Sequence, residues 1–244
     1  MTYCVGLRLK SGLMFMSDTR TNAGVDNVSS VRKMYTWDKP GDRLITLLSA
    51  GNLATTQTVV SLIEEHMKAA NERNPSIMDV PSMFAAAQLV GETVREVIKT
   101  ASDGGLQSEA TFSATFILGG QVAGGQPRMF LIYPEGNFIE ATSDNPFFQI
   151  GEHKYGKPIL VRAYNENMSF EEATKLMIVS FDSTLKSNLS VGLPLDMQIY
   201  ERDTLRRGFE KRFLADDTYY RRISDGWSDA LRLAFDSLPD FQMN

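Results

Sequence analysis

The chain is poor in the residues that build disulfides and metal sites. Among 244 residues it has one cysteine, Cys4, and two histidines. No disulfide can therefore form within the chain, and we expect neither a zinc site nor a cofactor. No apolar run approaches the roughly 20 residues of a membrane-spanning helix, and Arg8 and Lys10 interrupt the segment where a signal peptide has its apolar core. These absences predict a cytoplasmic protein that does not contact membranes.

The chain also lacks an excess of positive charge. Lysine and arginine total 25 against 30 aspartates and glutamates, and both signs are mixed along the sequence. This pattern predicts no binding to nucleic acid and leaves small substrates and protein partners open. Because 43% of the residues are hydrophobic, the chain can bury one large core, and we expect a single domain spanning residues 1–244.

Strand-like and helix-like patterns alternate in blocks along the chain. The periodicity predicts strands at residues 3–10, 13–19, 28–37, 43–49, 110–119, 128–133, 137–142 and 191–202. It predicts helices at residues 53–74, 80–101, 158–165, 170–187 and 224–238. Two sheets packed on each other, with helices on both outer sides, would bury every apolar face, so we expect an α+β fold.

The first predicted strand has a regular alternation. Large apolar residues lie at every second position from Tyr3 to Leu9, and Cys4, Gly6 and Arg8 lie between them. The pattern predicts one buried face and a second face of mostly small residues.

The most informative single residue is Thr2, which directly follows Met1. Removal of Met1 would leave a threonine that carries both a hydroxyl and a free α-amine. Such an amine titrates near ~8, far closer to neutrality than lysine, and an adjacent amine can activate a threonine hydroxyl as a nucleophile.

Three further features point to chemistry around Thr2. Asp18 ends the second predicted strand, and the hairpin brings it back towards the start of the first. Lys33 lies in an otherwise apolar strand and needs a carboxylate partner, for which Asp18 is available. Gly51 joins a buried strand to a helix, where backbone N–H groups favour developing negative charge. From these residues alone, a purely structural ion pair between Asp18 and Lys33 is the favoured interpretation.

Taken together, Thr2, Asp18, Arg20, Lys33 and the turn at Gly51 resemble the proteasome β-subunit family of N-terminal nucleophile hydrolases. The resemblance covers nearly the whole chain. Residues 1–6, 17–27, 32–34 and 48–52 resemble a bacterial branch of that family more narrowly. The resemblance implies a four-layer αββα sandwich, exposure of Thr2 by methionine removal alone, and assembly into a ring or open helical ring of identical chains. It also implies operon partners of the ATP-grasp and transglutaminase-like types.

The resemblance implies roles for individual residues. Thr2 would attack the peptide carbonyl, Lys33 paired with Asp18 would favour the ionised hydroxyl, and Arg20 would orient Asp18. The Gly51 N–H would stabilise the oxyanion, an effect of about 3 to 4 kcal/mol per donor. Ser190 would support the threonine amine. A peptide or protein substrate would bind to the backbone of Thr21 and Asn22. The side chains expected to form the specificity pocket are those of Thr21, Val31, Tyr35, Ser49 and Leu53.

Two positions depart from the family pattern. Ser187 stands where the family has an acidic residue, and Glu152 stands where it has a serine. The surroundings of the threonine amine should therefore differ from those usual in the family.

The resemblance favours a threonine peptidase within a homo-oligomeric particle. Two alternatives remain at this stage. The chain could hydrolyse a small or specialised amide or an isopeptide, because fold does not determine substrate. It could also be an assembly or scaffold protein that keeps the site residues with little turnover.

Overall fold

Two five-stranded antiparallel sheets form the centre of the molecule. The computed structural model describes residues 2–22, 28–68, 76–103 and 112–243. The first sheet has the order β10-β1-β2-β11-β12, with β1 Tyr3–Leu9, β2 Gly12–Asp18, β10 Phe147–Gly151, β11 Leu195–Glu201 and β12 Glu210–Phe213. The second has the order β5-β6-β7-β8-β9, with β5 Met34–Lys39, β6 Arg43–Gly51, β7 Ala114–Val122, β8 Arg128–Ile132 and β9 Phe138–Glu140. A separate two-stranded ribbon pairs β3 Arg20–Asn22 with β4 Val28–Ser30.

Helices cover the outer face of each sheet. They are α1 Leu53–Lys68, α2 Met83–Asp103, α3 Lys157–Ala163, α4 Phe170–Ser187 and α5 Thr218–Asp236. In the described part of the chain, no helix combines the length and the apolar character needed to cross a bilayer.

Three apolar clusters separate four layers. The first lies between α1, α2 and the second sheet, with Val59 and Val90 packed near Phe116. The second lies between the first sheet and α3 and α4, and the third lies between the two sheets. This arrangement confirms the predicted α+β fold as a four-layer αββα sandwich.

Strand β1 is buried on both faces, contrary to the sequence prediction of one buried face. Tyr3, Val5, Leu7 and Leu9 face the helices, and Cys4 faces the other sheet. The second face carries small residues because the opposite sheet approaches closely. A Cβ on Gly6 would lie 2.6 Å from the Met129 sulfur.

Several predicted boundaries are wrong at short or capped elements. The prediction missed the short strands β3, β10 and β12. Helix α2 begins at Met83, because the Ser82 hydroxyl accepts a hydrogen bond from the Ala85 amide, and Pro81 therefore precedes the helix. Helix α5 begins at Thr218, because the Asp217 carboxylate accepts from the Tyr220 amide. Parts of the predicted elements at 53–74 and 110–119 lie outside the described residues.

The close packing of the two sheets gives a stability prediction. A Cβ on Gly119 of β7 would lie 2.6 Å from the Phe15 ring of the first sheet. Gly119→Ala should therefore lower the free energy of unfolding by about 1–3 kcal/mol through overpacking. Gly226→Ala is the matched control, since a Cβ there meets no atom within 4 Å. Urea unfolding of both variants measures the difference, and equal midpoints would contradict close inter-sheet packing at Gly119.

Candidate active site

Thr2 lies immediately before β1, beside the turn that follows β10. Its carbonyl oxygen accepts a hydrogen bond of 2.6 Å from the Glu152 amide, directly after β10. Gly151 lies so close to Thr2 that a Cβ there would be 2.0 Å from the Thr2 carbonyl oxygen. The backbone of Thr2 is thereby held against the β10–α3 turn, and its side chain is half-buried.

Asp18 lies beside the peptide that links Thr2 to Tyr3. The register of the β1–β2 hairpin pairs Cys4 with Ser17, which brings Asp18 level with Tyr3. The Tyr3 N–H donates to Asp18 Oδ1 over 3.0 Å, and the Lys33 ammonium donates to the same oxygen over 2.7 Å. The Lys33 nitrogen is therefore adjacent to the backbone of the residue that follows Thr2.

The Asp18–Lys33 ion pair is buried. Asp18 has no exposed surface and the Lys33 side chain is 6% exposed. Burial raises the pKa of the Asp18 carboxyl, and the Lys33 ammonium together with the Tyr3 and Gly192 amides opposes that rise. The carboxylate is stable at this position only while these donors surround it.

Lys33 is fixed through both its backbone and its ammonium. Its carbonyl accepts from the Ser49 amide of β6 over 2.9 Å, and Ser49 Oγ lies 3.5 Å from the same oxygen. The ammonium also donates to the Arg20 carbonyl over 2.6 Å. The second sheet, through β6, thus holds the lysine against the first sheet, through Asp18.

Gly51 ends β6 immediately before α1. It has a φ of +120°, and a Cβ there would lie 2.3 Å from the Ser113 carbonyl oxygen, so only glycine fits. Asn52 caps the helix, since its side-chain oxygen accepts from the Thr55 amide. The Gly51 amide therefore lies at the positive end of α1.

The Arg20 guanidinium bonds to a backbone carbonyl and not to Asp18. Its guanidinium donates to the Leu189 carbonyl over 3.0 Å, in the turn between α4 and β11. The same turn contains Gly192, whose amide donates to Asp18 Oδ2 over 3.3 Å. The Arg20 guanidinium and the Asp18 carboxylate are therefore linked through the backbone of this turn.

The two positions that depart from the family pattern differ in their surroundings. Ser187 is the last residue of α4, and its hydroxyl donates its proton to the Ser183 carbonyl within the helix. Glu152 is 5% exposed, and its carboxylate accepts 2.8 Å bonds from the Asn188 side chain and from the backbone amides of His153 and Lys154. Burial by itself would raise the pKa of Glu152, but these bonds and the positive charge of Lys154 together outweigh it and lower the pKa.

Sequence reasoning missed Asn188 and Gly192. Asn188 follows α4 directly, and its side-chain oxygen accepts from the Ser190 amide over 3.0 Å. The Ser190 side chain is half-buried in the same turn. An asparagine after a helix resembles an ordinary C-terminal cap. The sequence therefore offered a single indication of its role, which was its position next to Ser187, where an acidic residue was expected.

The expected substrate-binding residues lie on neighbouring segments. Thr21 and Asn22 belong to β3 and pair with Ser29 and Val28 of β4. The remaining positions lie around the start of β5, the end of β6 and the start of α1. Val31 and Tyr35 are half-buried, Leu53 is exposed, and Ser49 is buried beneath the Lys33 backbone.

Cys4 is unsuited to serve as a competing nucleophile. It is fully buried between the sheets, and its thiol lies 3.7 Å from the Ser49 carbonyl. Burial raises the pKa of the Cys4 thiol, which keeps it in the unreactive protonated form.

Comparison with known proteins identifies the family and the fold. The family model for proteasome subunits matches residues 2–198. The chain is 55% identical to an Anbu (Gly-1) mutant from Hyphomicrobium sp. strain MC1, with complete coverage of both chains and a TM-score of 0.91. It is 44% identical to the Pseudomonas aeruginosa chain solved as the helical assembly of the Anbu complex, with 99% coverage of each chain and a TM-score of 0.91. A proteasome subunit beta from Haloquadratum walsbyi is 26% identical over 83% of this chain and 74% of its own length.

These relatives confirm the narrower resemblance to a bacterial branch. Anbu, the ancestral β-subunit, is the branch that residues 1–6, 17–27, 32–34 and 48–52 indicate.

The buried ion pair predicts a strong coupling in stability. Lys33→Met should lower the free energy of unfolding by about 3–5 kcal/mol, because Asp18 remains buried without its cation. The double variant with Asp18→Asn should lose much less than the sum of the single changes. Lys10→Met is the control, since Lys10 pairs with Glu166 on the surface at 63% exposure and should cost at most about 1 kcal/mol.

The stability of the Lys33→Met variant should depend on pH with a defined sign. Without Lys33, the folded-state pKa of Asp18 rises further above its unfolded value, so the folded protein binds more protons. Its stability should therefore decrease as pH rises above about 4. Urea unfolding from pH 4 to pH 8 tests both statements, and additive effects of the two substitutions would contradict the coupling.

Proposed function

Because the chain belongs to the proteasome subunit family, we propose that it is a threonine peptidase whose nucleophile is Thr2. The observation that carries the proposal is the buried Lys33–Asp18 pair, hydrogen-bonded to the peptide N–H between Thr2 and Tyr3. This pair brings a fixed positive charge to the segment that carries the threonine. The proposal requires that Thr2 becomes the first residue, since only a free α-amine has the basicity to accept a proton near neutrality.

The proposed reaction has two covalent steps. Thr2 Oγ attacks the carbonyl carbon of the scissile amide, and its proton passes to the Thr2 α-amine, directly or through a water molecule. The resulting tetrahedral oxyanion receives the Gly51 N–H at the start of α1. Collapse breaks the C–N bond, the ammonium returns a proton to the leaving amine, and an ester on Thr2 remains. Water then hydrolyses the ester and regenerates the hydroxyl.

The neighbouring groups prepare Thr2 for attack. The Lys33 ammonium favours the ionised hydroxyl by its charge, and Asp18 holds the ammonium in place. The α4–β11 turn supports Asp18 through the Gly192 amide and is itself held by Arg20. Ser190, in the same turn, would face the amine.

A peptide substrate would bind as an extended strand beside β3. The ribbon of β3 and β4 stands apart from both large sheets, so Thr21 and Asn22 can present backbone groups to a further strand. The side chains of Thr21, Val31, Tyr35 and Leu53 would outline the pocket for the residue before the scissile bond, with Ser49 at its base. Tyr35 is oriented by its hydroxyl, which donates to the Arg32 carbonyl.

The proposal includes self-assembly in the cytoplasm. The Pseudomonas aeruginosa relative was solved as a helical assembly, and we propose that this chain likewise forms a ring or open helical ring of identical subunits. Operon partners of the ATP-grasp and transglutaminase-like types belong to the same proposal.

Substitution of the nucleophile tests the peptidase assignment. Thr2→Ala should reduce hydrolysis of peptide libraries by at least about 10³-fold, because no covalent step is then available, whereas Thr2→Ser should retain measurable activity. Thr58→Ala on the exposed face of α1 is the control and should leave turnover unchanged. Intact mass must first show a chain without Met1, and an epoxyketone probe should add to Thr2 in the native protein.

The outcomes separate the competing functions. Turnover of small amides but not of peptides would replace the peptidase assignment with an amidase. Absence of any probe adduct on a chain that lacks Met1 would exclude a reactive Thr2 and favour a scaffold.

Native mass spectrometry tests the proposed assembly. We expect particles whose masses are integral multiples of the 27.3 kDa chain, corrected for Met1, and the same particles with Thr2→Ala, since that side chain plays no part in assembly. A monomer at all micromolar concentrations would refute the proposed assembly.

A further inference from the structure

The ribbon of β3 and β4 needs contacts outside itself to keep one position. Each strand has three residues, and the two pair with each other apart from both large sheets. An isolated two-stranded ribbon is at best marginally stable in water, and these strands are near the lower limit of strand length. In the proposed function this ribbon binds the substrate backbone, so whatever fixes the ribbon also fixes the substrate.

Backbone bonds close the base of the ribbon. Thr19 precedes β3 and Val31 follows β4, and the Val31 amide donates to the Thr19 carbonyl over 2.7 Å. The Lys33 ammonium donates to the Arg20 carbonyl over 2.6 Å. These bonds link the two ends of the ribbon to each other and to the ion pair. Because bonds at the base alone allow a short ribbon to tilt, its orientation needs a further contact.

The Thr19 hydroxyl supplies that contact. Thr19 has no exposed surface. Its Oγ1 donates to the Pro194 carbonyl over 2.8 Å and lies 3.1 Å from Ser30 Oγ of β4. Asp18, directly before Thr19, ends β2, and Pro194 directly precedes β11. One buried hydroxyl therefore joins the ribbon to two neighbouring strands of the first sheet.

The direction of these two bonds follows from the number of protons. A carbonyl oxygen can only accept, so the single hydroxyl proton of Thr19 goes to Pro194. The Ser30 hydroxyl must then donate to Thr19 Oγ1. Both partners consequently depend on the same oxygen. Without it, the Pro194 carbonyl loses this donor, the Ser30 hydroxyl loses this acceptor, and β4 loses its side-chain link to the first sheet.

Thr19 is also the neighbour of the residue that fixes the segment around Thr2. The Asp18 carboxylate accepts from the Tyr3 amide over 3.0 Å, and Tyr3 directly follows Thr2. A single planar peptide unit thus separates the anchor of the ribbon from the anchor of the nucleophile's strand. The position of the ribbon relative to Thr2 is therefore set by two consecutive side chains.

We propose that Thr19 is a positioning residue whose hydroxyl, through Ser30, holds the β3–β4 ribbon at a fixed place relative to Thr2. An extended peptide that pairs with the ribbon is then presented with its scissile carbonyl at the Thr2 hydroxyl. The inference rests on the proposed function, and it adds that productive binding depends on pairing along the ribbon. The favoured substrate class is an extended peptide, whereas a small amide that does not reach β3 should be indifferent to Thr19.

Hydrogen exchange, followed by mass spectrometry on the full, assembled chain, tests the anchor without any turnover. Thr19→Val keeps the shape of the side chain but removes the hydroxyl. It should speed exchange at the amides of β3, β4 and Val31 by about five- to tenfold, with less change in β1. Thr19→Ser keeps the hydroxyl and should retain slow exchange. Thr93→Val is the matched control, since this buried hydroxyl bonds to the Leu89 carbonyl within α2.

A variant on the exposed side covers failure of Thr19→Val to fold. Ser30→Ala removes only the donor to Thr19, and should speed exchange in β4 by about two- to fivefold. Ser29→Ala, at the neighbouring exposed position, should leave exchange unchanged. Unchanged exchange of the ribbon in Ser30→Ala would overturn the proposal by itself. Equal acceleration in Thr19→Ser and Thr19→Val would also overturn it, since the hydroxyl would then not be the anchor.

Labelling of Thr2 tests the consequence for substrate. A peptide epoxyketone long enough to pair with β3 should label Thr19→Val about tenfold more slowly, through a higher half-saturating concentration and with little change in the maximal rate. A small β-lactone without a peptide should label Thr19→Val and the unsubstituted chain at the same rate. Equal slowing of both reagents would overturn the positioning role.

Failure of the proposed function gives a different result. Neither reagent would then label Thr2 in a chain that lacks Met1, whereas hydrogen exchange would still decide whether the Thr19 hydroxyl anchors the ribbon.

Discussion

The structure of the site depends on the buried carboxylate of Asp18. Its two oxygens collect the Tyr3 amide from β1, the Lys33 ammonium from the segment before β5, and the Gly192 amide from the turn after α4. These donors belong to three segments that are far apart in the sequence. A carboxylate with no exposed surface is stable only when its donors are complete. The same contacts that keep Asp18 charged therefore fix the relative positions of the three segments around Thr2.

The layered core explains why these segments meet at one end of the molecule. Both faces of β1 and β2 are buried, so the register of the first sheet is set by packing along its whole length. The Ser49 amide of β6 then joins the second sheet to Lys33. The distance between Lys33 and Asp18 consequently depends on how the two sheets pack. A change in the spacing between the sheets would move the lysine relative to Asp18.

The sequence predicted the layers and the ion pair because both follow from strong local signals. Alternating apolar residues indicated the strands, and a lysine in a predicted apolar strand required a buried acid such as Asp18, although the structure places Lys33 between β4 and β5. The short strands β3, β10 and β12 have three to five residues, too few for periodicity to stand out. The contact between Glu152 and Asn188 was equally hidden, since 36 residues separate them and each lies in a turn. The acid was expected at Ser187, but the helix continues through that residue and directs its hydroxyl back to Ser183.

Backbone groups perform much of the positioning, which explains where glycine is required. The Gly192 amide supports Asp18, and a Cβ at this position would lie 2.2 Å from Arg20 Cζ. The guanidinium can reach the Leu189 carbonyl only because Gly192 has no side chain. Arg20 and Gly192 are therefore one structural unit, and a larger residue at either place would displace the other. Gly51 is constrained in the same way by the Ser113 carbonyl. At both glycines the chemical role belongs to an N–H that any residue except proline could supply. Steric contact restricts the side chain at Gly192, and steric contact together with the positive φ restricts it at Gly51.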